Sequence, residues 1–210
     1  MMNIISFISN DKKELSSNSY IAIDNHHNCV VIDPSHDNDS LINYILKNEL
    51  SCKGILLTHG HFDHIRGVDR IINKFHCDLF CDQNEVELLN DDYLNCSKLC
   101  NECVKIHTSA KELYDGEVLK LLDEDIVVIE TPFHTLGSIC FYFKDSKILI
   151  SGDTLFKGFV GRSDLPSSAP RFFKTSIEKL LKLPDDVKIY PGHGKDSTIG
   201  FERKYNPFIK

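Results

Sequence analysis

The sequence predicts an α/β sandwich, in which two β-sheets pack face to face and helices cover their outer sides. Strand-like apolar runs alternate with runs of helical period, and strands followed by helices occur twice along the 210 residues. No Ser/Gly-rich or Pro-rich linker divides the chain, so we expect one domain spanning residues 1–210. Apolar residues make up 41% and charged residues 26% of the chain, which is typical of a globular protein and excludes disorder.

The first half of the chain contains five predicted strands. They are short apolar runs at residues 4–8, 20–23, 29–32, 54–57 and 78–81. The third run ends at Asp33-Pro34, and the fourth is continuously apolar, as expected for a strand that is buried on both faces. Helices are predicted after Asp39 or Ser40, from Ile65 onward, and over residues 85–89.

The second half repeats this pattern. Strands are predicted at residues 118–121, 126–130, 138–143, 148–151 and 188–190. A helix is predicted over residues 172–181, because Ile177, Leu180 and Leu181 share one face and Pro184 follows. Each half therefore supplies one sheet with its own helices.

Net charge and apolar patterning restrict the expected binding partners and cellular location of the protein. The formal net charge is −7, and an acidic balance disfavours nucleic acid, whose binding depends on many Lys and Arg side chains that neutralise phosphates. The first thirty residues show no signal peptide, and no apolar run approaches the length of a membrane span. We therefore expect a cytoplasmic protein with no membrane partner and with eight reduced cysteines. The oligomeric state is left open.

Four potential metal ligands lie within six residues: His59, His61, Asp63 and His64. His59 and His61 are two residues apart, so their side chains can point the same way from an extended loop. Asp63 and His64 follow at the turn into a helix and point elsewhere. Burying three imidazoles and a carboxylate without a compensating ion is costly. The cluster therefore predicts a metal site, for two ions or for one ion with supporting residues.

Three more segments place a potential ligand just after a predicted strand. These ligands are His134, Asp153 and His193. Open α/β architectures place their sites at the carboxyl ends of strands, where we also expect the first cluster. Imidazole nitrogen and carboxylate oxygen suit zinc, iron or manganese, and the absence of cysteine from these segments argues against a structural zinc closed by thiolates.

The H-x-H-x-D-H signature, followed in order by His134, Asp153 and His193, resembles the metallo-β-lactamase-fold hydrolases. The resemblance covers essentially the whole chain and implies a four-layer αββα sandwich with two mixed sheets face to face. Further motifs resemble the short glyoxalase II-like (hydroxyacylglutathione hydrolase-like) branch. They lie at residues 152–156, 161–166, 183–186, 190–194, 198–203 and 206–208.

This resemblance implies a cofactor and a reaction. It implies two divalent metal ions per chain, with zinc favoured over iron or manganese. By the resemblance, the first ion is held by His59, His61 and His134, the second by Asp63, His64 and His193, and Asp153 bridges them. The implied reaction is hydrolysis of a small acyl thioester, such as S-lactoylglutathione, by a metal-bridging hydroxide. Asp63 is the candidate catalytic residue that orients this hydroxide.

Substrate recognition is less well defined by the sequence. Arg162 is the candidate for binding a substrate carboxylate, because a guanidinium binds carboxylates bidentately, and a surface ion pair is the alternative. Phe133 stands where the family commonly has glycine, and the backbone would be strained there if φ were positive. Ser167, Ser168 and Ala169 replace glycines beside the expected mouth of the pocket. The acyl group and the thiol carrier are left open.

Two other reactions are compatible with such a site. The persulfide dioxygenase branch uses one iron and oxygen and shares the Gly-Arg-x-Asp stretch, but its last histidine is placed differently. The sequence Pro191-Gly192-His193-Gly194 therefore favours hydrolysis. A metal-dependent phosphodiesterase also uses paired metals, and the acidic composition counts against it.

A second group of potential ligands consists of Cys96, Cys100, Cys103 and His107. Their spacing is that of one helix face, which Leu89 and Tyr93 extend backwards. Because free cysteine behaves as a small buried apolar residue, the pattern predicts a helix with a core face in preference to a second zinc site.

Overall fold

The computed structural model describes residues 2–8, 15–35 and 38–209. Within these residues the first half of the chain forms a six-stranded sheet in the order β1 to β6. Its strands are β1 (Asn3–Phe7), β2 (Ser19–Ile23), β3 (Asn28–Ile32), β4 (Ser51–Leu56), β5 (Asp78–Asp82) and β6 (Lys111–Leu113). The first three are antiparallel neighbours, and β3 to β6 run parallel, so the sheet is mixed.

The second half of the described chain forms another six-stranded mixed sheet and a small hairpin. The strands are β7 (Val118–Leu119), β8 (Ile126–Glu130), β9 (Ile139–Phe143), β10 (Ile148–Gly152), the hairpin β11 (Leu155–Phe156) and β12 (Phe159–Val160), then β13 (Lys188–Pro191) and β14 (Ser197–Thr198). The sheet order is β14-β13-β10-β9-β8-β7. Only β10 and β13 run parallel within it.

Five helices lie in the described residues. They are α1 (Asn38–Lys47), α2 (Phe62–Ile65), α3 (Val68–Phe75), α4 (Phe173–Leu180) and α5 (Ile199–Tyr205). Alternation along each strand divides the apolar side chains into three clusters, because successive side chains point to opposite faces. One cluster joins the two sheets, one joins the first sheet to α1 and α3, and one joins the second sheet to α4 and α5. The predicted αββα sandwich is confirmed.

Most predicted elements are present, with three differences. The predicted strand after residue 118 is only two residues long, and the predicted helix over residues 85–89 is two separate 3-10 turns. The third difference concerns the cysteine pattern. Instead of a helix, residues 97–100 form one 3-10 turn between Cys96 and Asn101, both of which have positive φ. Cys96 is buried, whereas Cys100 and Cys103 are exposed, so the prediction of one core face is wrong.

The topology brings the ends of several strands to one edge of the sandwich. Strands β3 and β4 are parallel neighbours, and β10 and β13 are parallel neighbours in the other sheet. The loops that follow β4, β8, β10 and β13 carry the histidines and aspartates of the sequence motifs. No helix among the described residues is both long enough and apolar enough to cross a lipid bilayer.

Candidate metal centre

The loop after β4 presents its ligands in two directions. His59 and His61 lie in its non-helical part, and the backbone of His61 is extended, with φ −67° and ψ 145°. Asp63 and His64 belong to the first turn of α2. Among the described residues, no group of neighbouring candidate ligands contains His61 together with Asp63 or His64, but His59 lies beside His64, with ring centroids 4.1 Å apart, so the predicted separation of the two pairs is only partial.

The seven side chains singled out by the motifs converge at the seam between the two sheets. Their ligand atoms form three overlapping groups, each within 4.8 Å: His59, His61 and His134; His59, His64 and Asp153; and Asp63, His64 and His193. Six of these seven residues are buried, and His193 is half-buried. The first and third groups correspond to the two ligand sets that the family resemblance implies.

Asp153 lies between these two groups. Its Oδ1 atom is 3.4 Å from Nε2 of His64, and its Oδ2 atom is 3.5 Å from Nε2 of both His134 and His193. Two glycines, Gly152 and Gly192, allow the Asp153 carboxylate to take this position. Gly152 has φ +48°, and a side chain at Gly192 would collide with the Asp153 carboxylate. The carboxylate is thus placed to contact an ion in either group.

Three buried polar atoms in the cluster have no hydrogen-bond partner. They are Nε2 of His59, Nε2 of His64 and Oδ1 of Asp153. A buried polar atom without a partner costs free energy, and these three residues form one of the groups whose ligand atoms lie within 4.8 Å of one another. A bound cation satisfies such atoms, so the donor set fits a divalent metal.

A neighbour contacts the second ring nitrogen of several of these imidazoles. Nδ1 of His134 donates to the carbonyl of Arg162 at 2.7 Å, and Nδ1 of His59 is 3.2 Å from Oγ1 of Thr58. His61 is reversed: its Nε2 contacts Oγ of Ser167 at 2.9 Å, and its Nδ1 faces Nε2 of His134. Such contacts fix which nitrogen is turned to the centre. Ser167, one of the residues that replace the family's glycines, therefore orients a candidate ligand.

The electrostatics of the site separate two kinds of histidine. Burial, together with neighbouring imidazoles, lowers the pKa of His61 to about 3 and lowers the pKa of His59 well below its ordinary value. Burial alone would also lower the pKa of His64, but the carboxylates of Asp63 and Asp153 raise it well above the ordinary value. Burial opposes ionisation of Asp153, yet the facing imidazoles of His193 and His64 hold its pKa well below the usual range. Neutral imidazoles beside an ionised carboxylate are the forms that bind metal.

Asp33 is a functional residue that the sequence analysis did not single out. Its buried carboxylate accepts a hydrogen bond from Nδ1 of His64 at 2.9 Å, and two more from the backbone N–H and the hydroxyl of Thr58. The sequence does contain a signal, because Asp33 directly follows β3, the parallel neighbour of β4. Asp33 therefore holds Nδ1 of His64 and fixes the orientation of its ring.

Glu85 is the second residue that was missed. It is fully buried, and its carboxyl oxygens accept hydrogen bonds from the N–H of Gly60 at 2.5 Å and the N–H of Gly137 at 2.8 Å. Side chains at either glycine would collide with Glu85 or its neighbours. Glu85 thus ties the loop of His59 and His61 to the turn that follows His134.

The burial of Glu85 predicts a pH dependence of stability. Burial raises the pKa of Glu85 from 4.5 to about 7. Between these values the unfolded chain has released the proton and the folded chain still holds it, so this residue's contribution to stability falls as pH rises from 4.5 to 7 and is constant above 7. Relative to Glu85→Gln, we expect the free energy of unfolding of the parent to fall by about 3 kcal/mol across this window. Urea unfolding of both proteins at several pH values measures it, and a pH-independent difference would contradict it.

The structure also locates the remaining predicted residues. The guanidinium of Arg162 forms a bidentate pair with the carboxylate of Asp164, with distances of 2.7 and 2.9 Å. This is the ion pair that the sequence analysis gives as the alternative, and its role toward a substrate stays a prediction. Phe133 is buried against Phe173, and it is not among the described residues with positive φ, so no strain arises there.

Comparison with known proteins decides the family. The family model described as "Metallo-beta-lactamase superfamily" matches residues 13–193. The chain belongs to this superfamily. It is 34% identical over 197 residues to the probable metallo-hydrolase YqgX of Bacillus subtilis, covering 93% of each protein. It is 32% identical over 190 residues to the hydroxyacylglutathione hydrolase GloC of Haemophilus influenzae, covering 89% of each.

Two solved structures superpose closely on the chain. The crystal structure of the B3 metallo-beta-lactamase BLEG-1 matches with a TM-score of 0.91 and 32% identity, covering 100% of both chains. TTHA1623 in a di-iron-bound form matches with a TM-score of 0.83 and 30% identity, covering 91% of this chain and 94% of that one. As a member of this superfamily, the chain is a metallo-hydrolase, and its His/Asp cluster indicates a divalent metal site.

Proposed function

We propose that this metallo-hydrolase cleaves small acyl thioesters, such as S-lactoylglutathione, with two divalent metal ions bound per chain. The observation that carries the proposal is the arrangement around Asp153, where two groups of ligands share one carboxylate and leave buried atoms without partners. The similarity to GloC, which is named a hydroxyacylglutathione hydrolase, supports the choice of thioester. Zinc is the proposed metal, and iron or manganese would suit the same nitrogen and oxygen ligands.

Each ligand has a proposed place. The first ion would be held by His59, His61 and His134 and the second by Asp63, His64 and His193, and Asp153 would be available to both. Two bound divalent ions lower the pKa of water and polarise the substrate carbonyl. The neutral imidazoles of His59 and His61 and the ionised carboxylate of Asp153 are already in the forms that such binding needs, whereas His64 would release a proton when it binds a metal.

The chain's own residues then orient the reactants. The facing imidazoles of His64 and His193 hold the pKa of Asp63 below its ordinary value, although burial opposes this, so the carboxylate is ionised and accepts hydrogen bonds. Its Oδ2 atom is 3.2 Å from Nε2 of His193, at the floor of the cavity. Asp63 is thereby placed to accept a hydrogen bond from the attacking water and to orient it. The thiolate leaves readily, so a strong general acid is not required.

The experiment couples metal analysis with an activity assay on the same sample. We expect close to two metal ions per chain, hydrolysis of S-lactoylglutathione, loss of that hydrolysis on chelation, and its return when zinc is restored. His59→Ala is expected to abolish hydrolysis while the chain stays folded, whereas the exposed His26→Ala serves as the matched control. Normal turnover by metal-free protein would overturn the proposal.

The same preparation tests the competing reactions. Oxygen uptake with glutathione persulfide would instead identify a dioxygenase, and turnover of a phosphodiester would identify a phosphodiesterase. A β-lactam is a second candidate substrate, because BLEG-1 is named a B3 metallo-beta-lactamase and matches the entire chain. Preferred turnover of any of these over thioesters would replace the proposed function.

A further inference from the structure

A cavity of about 480 Å³ opens above the candidate metal centre. Its floor includes candidate ligands from both sheets, among them His61, Asp63 and His134. Apolar and thiol side chains also line the cavity, and we call five of them, Phe62, Cys96, Leu99, Cys100 and Leu165, the acyl wall. A substrate that reaches the metal centre through this cavity therefore meets apolar and thiol side chains as well as the candidate ligands.

The acyl wall is attached to the ligand loop. Phe62 lies between His61 and Asp63 in sequence, and its N–H donates to the carbonyl of Asn95 at 2.9 Å. The side chain of Asn95 is buried and donates to the carbonyl of Val104 at 2.8 Å, which holds the segment in place. Cys96 follows directly. The wall thus has a fixed position beside the reacting atoms.

The character of the wall is apolar. Burial, reinforced by the nearby Asp63 carboxylate, raises the pKa of the Cys96 thiol to about 11, so this group is neutral near pH 7 and behaves as a small apolar side chain. Leu99 is 55% exposed at the rim of the cavity. An exposed leucine beside a reactive centre gains contact and loses exposure to water only when an apolar group lies against it.

Apart from the candidate metal ligands, the lining offers little free charge. Among the described residues that line this cavity, Arg162 is the one Lys or Arg side chain. Its guanidinium is already paired with both carboxylate oxygens of Asp164. A thiol carrier such as glutathione becomes polar and charged within a few bonds of its sulfur, which does not match the wall. The acyl side of a thioester does match, because an alkyl chain continues directly from the reacting carbon.

We propose that the acyl wall binds a straight apolar acyl chain of several carbons, so that simple alkanoyl thioesters are better substrates than the lactoyl thioester. This inference rests on the thioester hydrolysis proposed above and specifies its substrate class. The carbonyl lies at the candidate metal centre, and the alkyl chain extends along Phe62, Cys96 and Leu99. A 2-hydroxyl group, as in lactoyl, would lose water contacts at this wall without gaining a partner from it.

The test compares acyl chains on one thiol carrier. Acetyl, propionyl, butyryl and hexanoyl esters of glutathione are assayed beside the lactoyl ester, with the metal-loaded enzyme. We expect kcat/KM to rise roughly fourfold for each added methylene that is fully buried. We also expect the propionyl ester to exceed its 2-hydroxy counterpart, lactoyl. The same series on the neutral carrier N-acetylcysteamine should give the same dependence on chain length if the wall contacts the acyl side.

A variant and a matched control connect this dependence to the wall. Leu99→Asn is expected to abolish most of the increase with chain length, and Leu99 is exposed, so the substitution does not disturb the core. Leu46→Asn is the control, because Leu46 on α1 is similarly exposed, at 48%, and lines a different cavity. An unchanged chain-length dependence in Leu99→Asn, a flat series, or a preference for lactoyl would overturn the inference and leave thioester hydrolysis intact. Failure to hydrolyse any thioester would overturn both proposals.

Discussion

Asp153→Asn is expected to lower thioester hydrolysis by at least about 100-fold, since even residues that only support metal ligands commonly cost 10- to 100-fold. The substitution keeps the shape of the side chain but removes its charge. Asp153 faces imidazoles of both ligand groups at 3.4 to 3.5 Å, so its loss affects both proposed ions together. The pKa of Asp153 is held well below its usual range by these imidazoles, which shows how strongly the site favours a negative charge at this position.

Two measurements check this expectation. Metal content per chain should fall together with kcat/KM, and circular dichroism should show that the fold is retained. Asp145→Asn is a suitable control, because Asp145 is exposed in the turn between β9 and β10. If Asp153→Asn retained two tightly bound ions and normal turnover, Asp153 would not bridge them.

The second large effect is expected for Asp33→Asn. The carboxylate of Asp33 can only accept hydrogen bonds, so it keeps a proton on Nδ1 of His64 and leaves Nε2 for a metal. An asparagine amide at this position donates to Nδ1 instead, which favours the opposite tautomer. We expect metal affinity and activity to fall about 10- to 100-fold. Replacing the carboxylate also leaves Thr58 with poorer partners, at a cost of about 1–3 kcal/mol in stability.

The tautomer provides a direct readout for this variant. Nitrogen-15 NMR of His64 in the zinc-loaded protein should show Nδ1 protonated in the parent and altered in Asp33→Asn. Competition with a chelator measures the change in zinc affinity. Unchanged affinity with an unchanged His64 spectrum would show that Asp33 serves only the backbone of Thr58.

The cluster of candidate metal ligands could be predicted because short sequence motifs identify its members. Four ligands lie in one short loop, and the other three each follow a strand, so spacing and strand ends suffice to bring them together. Asp33 and Glu85 were not predicted because their roles are non-local. Asp33-Pro34 is explained equally well as a strand terminator, and Glu85 is 25 residues from the glycine that it contacts. In the linear sequence neither residue differs from an ordinary acidic residue.

Local backbone conformation explains the remaining difference. The spacing of Cys96, Cys100 and Cys103 matches a helix face, but Cys96 has φ +67° and Asn101 has φ +59°. Two left-handed residues only five positions apart prevent a continuous helix, and the segment instead forms the 3-10 turn beside the cavity. Periodicity alone does not detect such residues. The same turn contains Leu99, which lines the cavity, so the segment where the helix prediction fails belongs to the proposed acyl wall.

Both sheets contribute ligands to the candidate centre. Four ligands follow β4 in the first sheet, and three follow strands of the second sheet. Any ion held there links the two halves of the sandwich. Since such an ion binds the native chain far more tightly than the unfolded one, a free concentration a thousandfold above Kd would add about 4 kcal/mol to the resistance against denaturation. The free concentration of the ion would then set the folding stability of the protein as well as its catalytic activity.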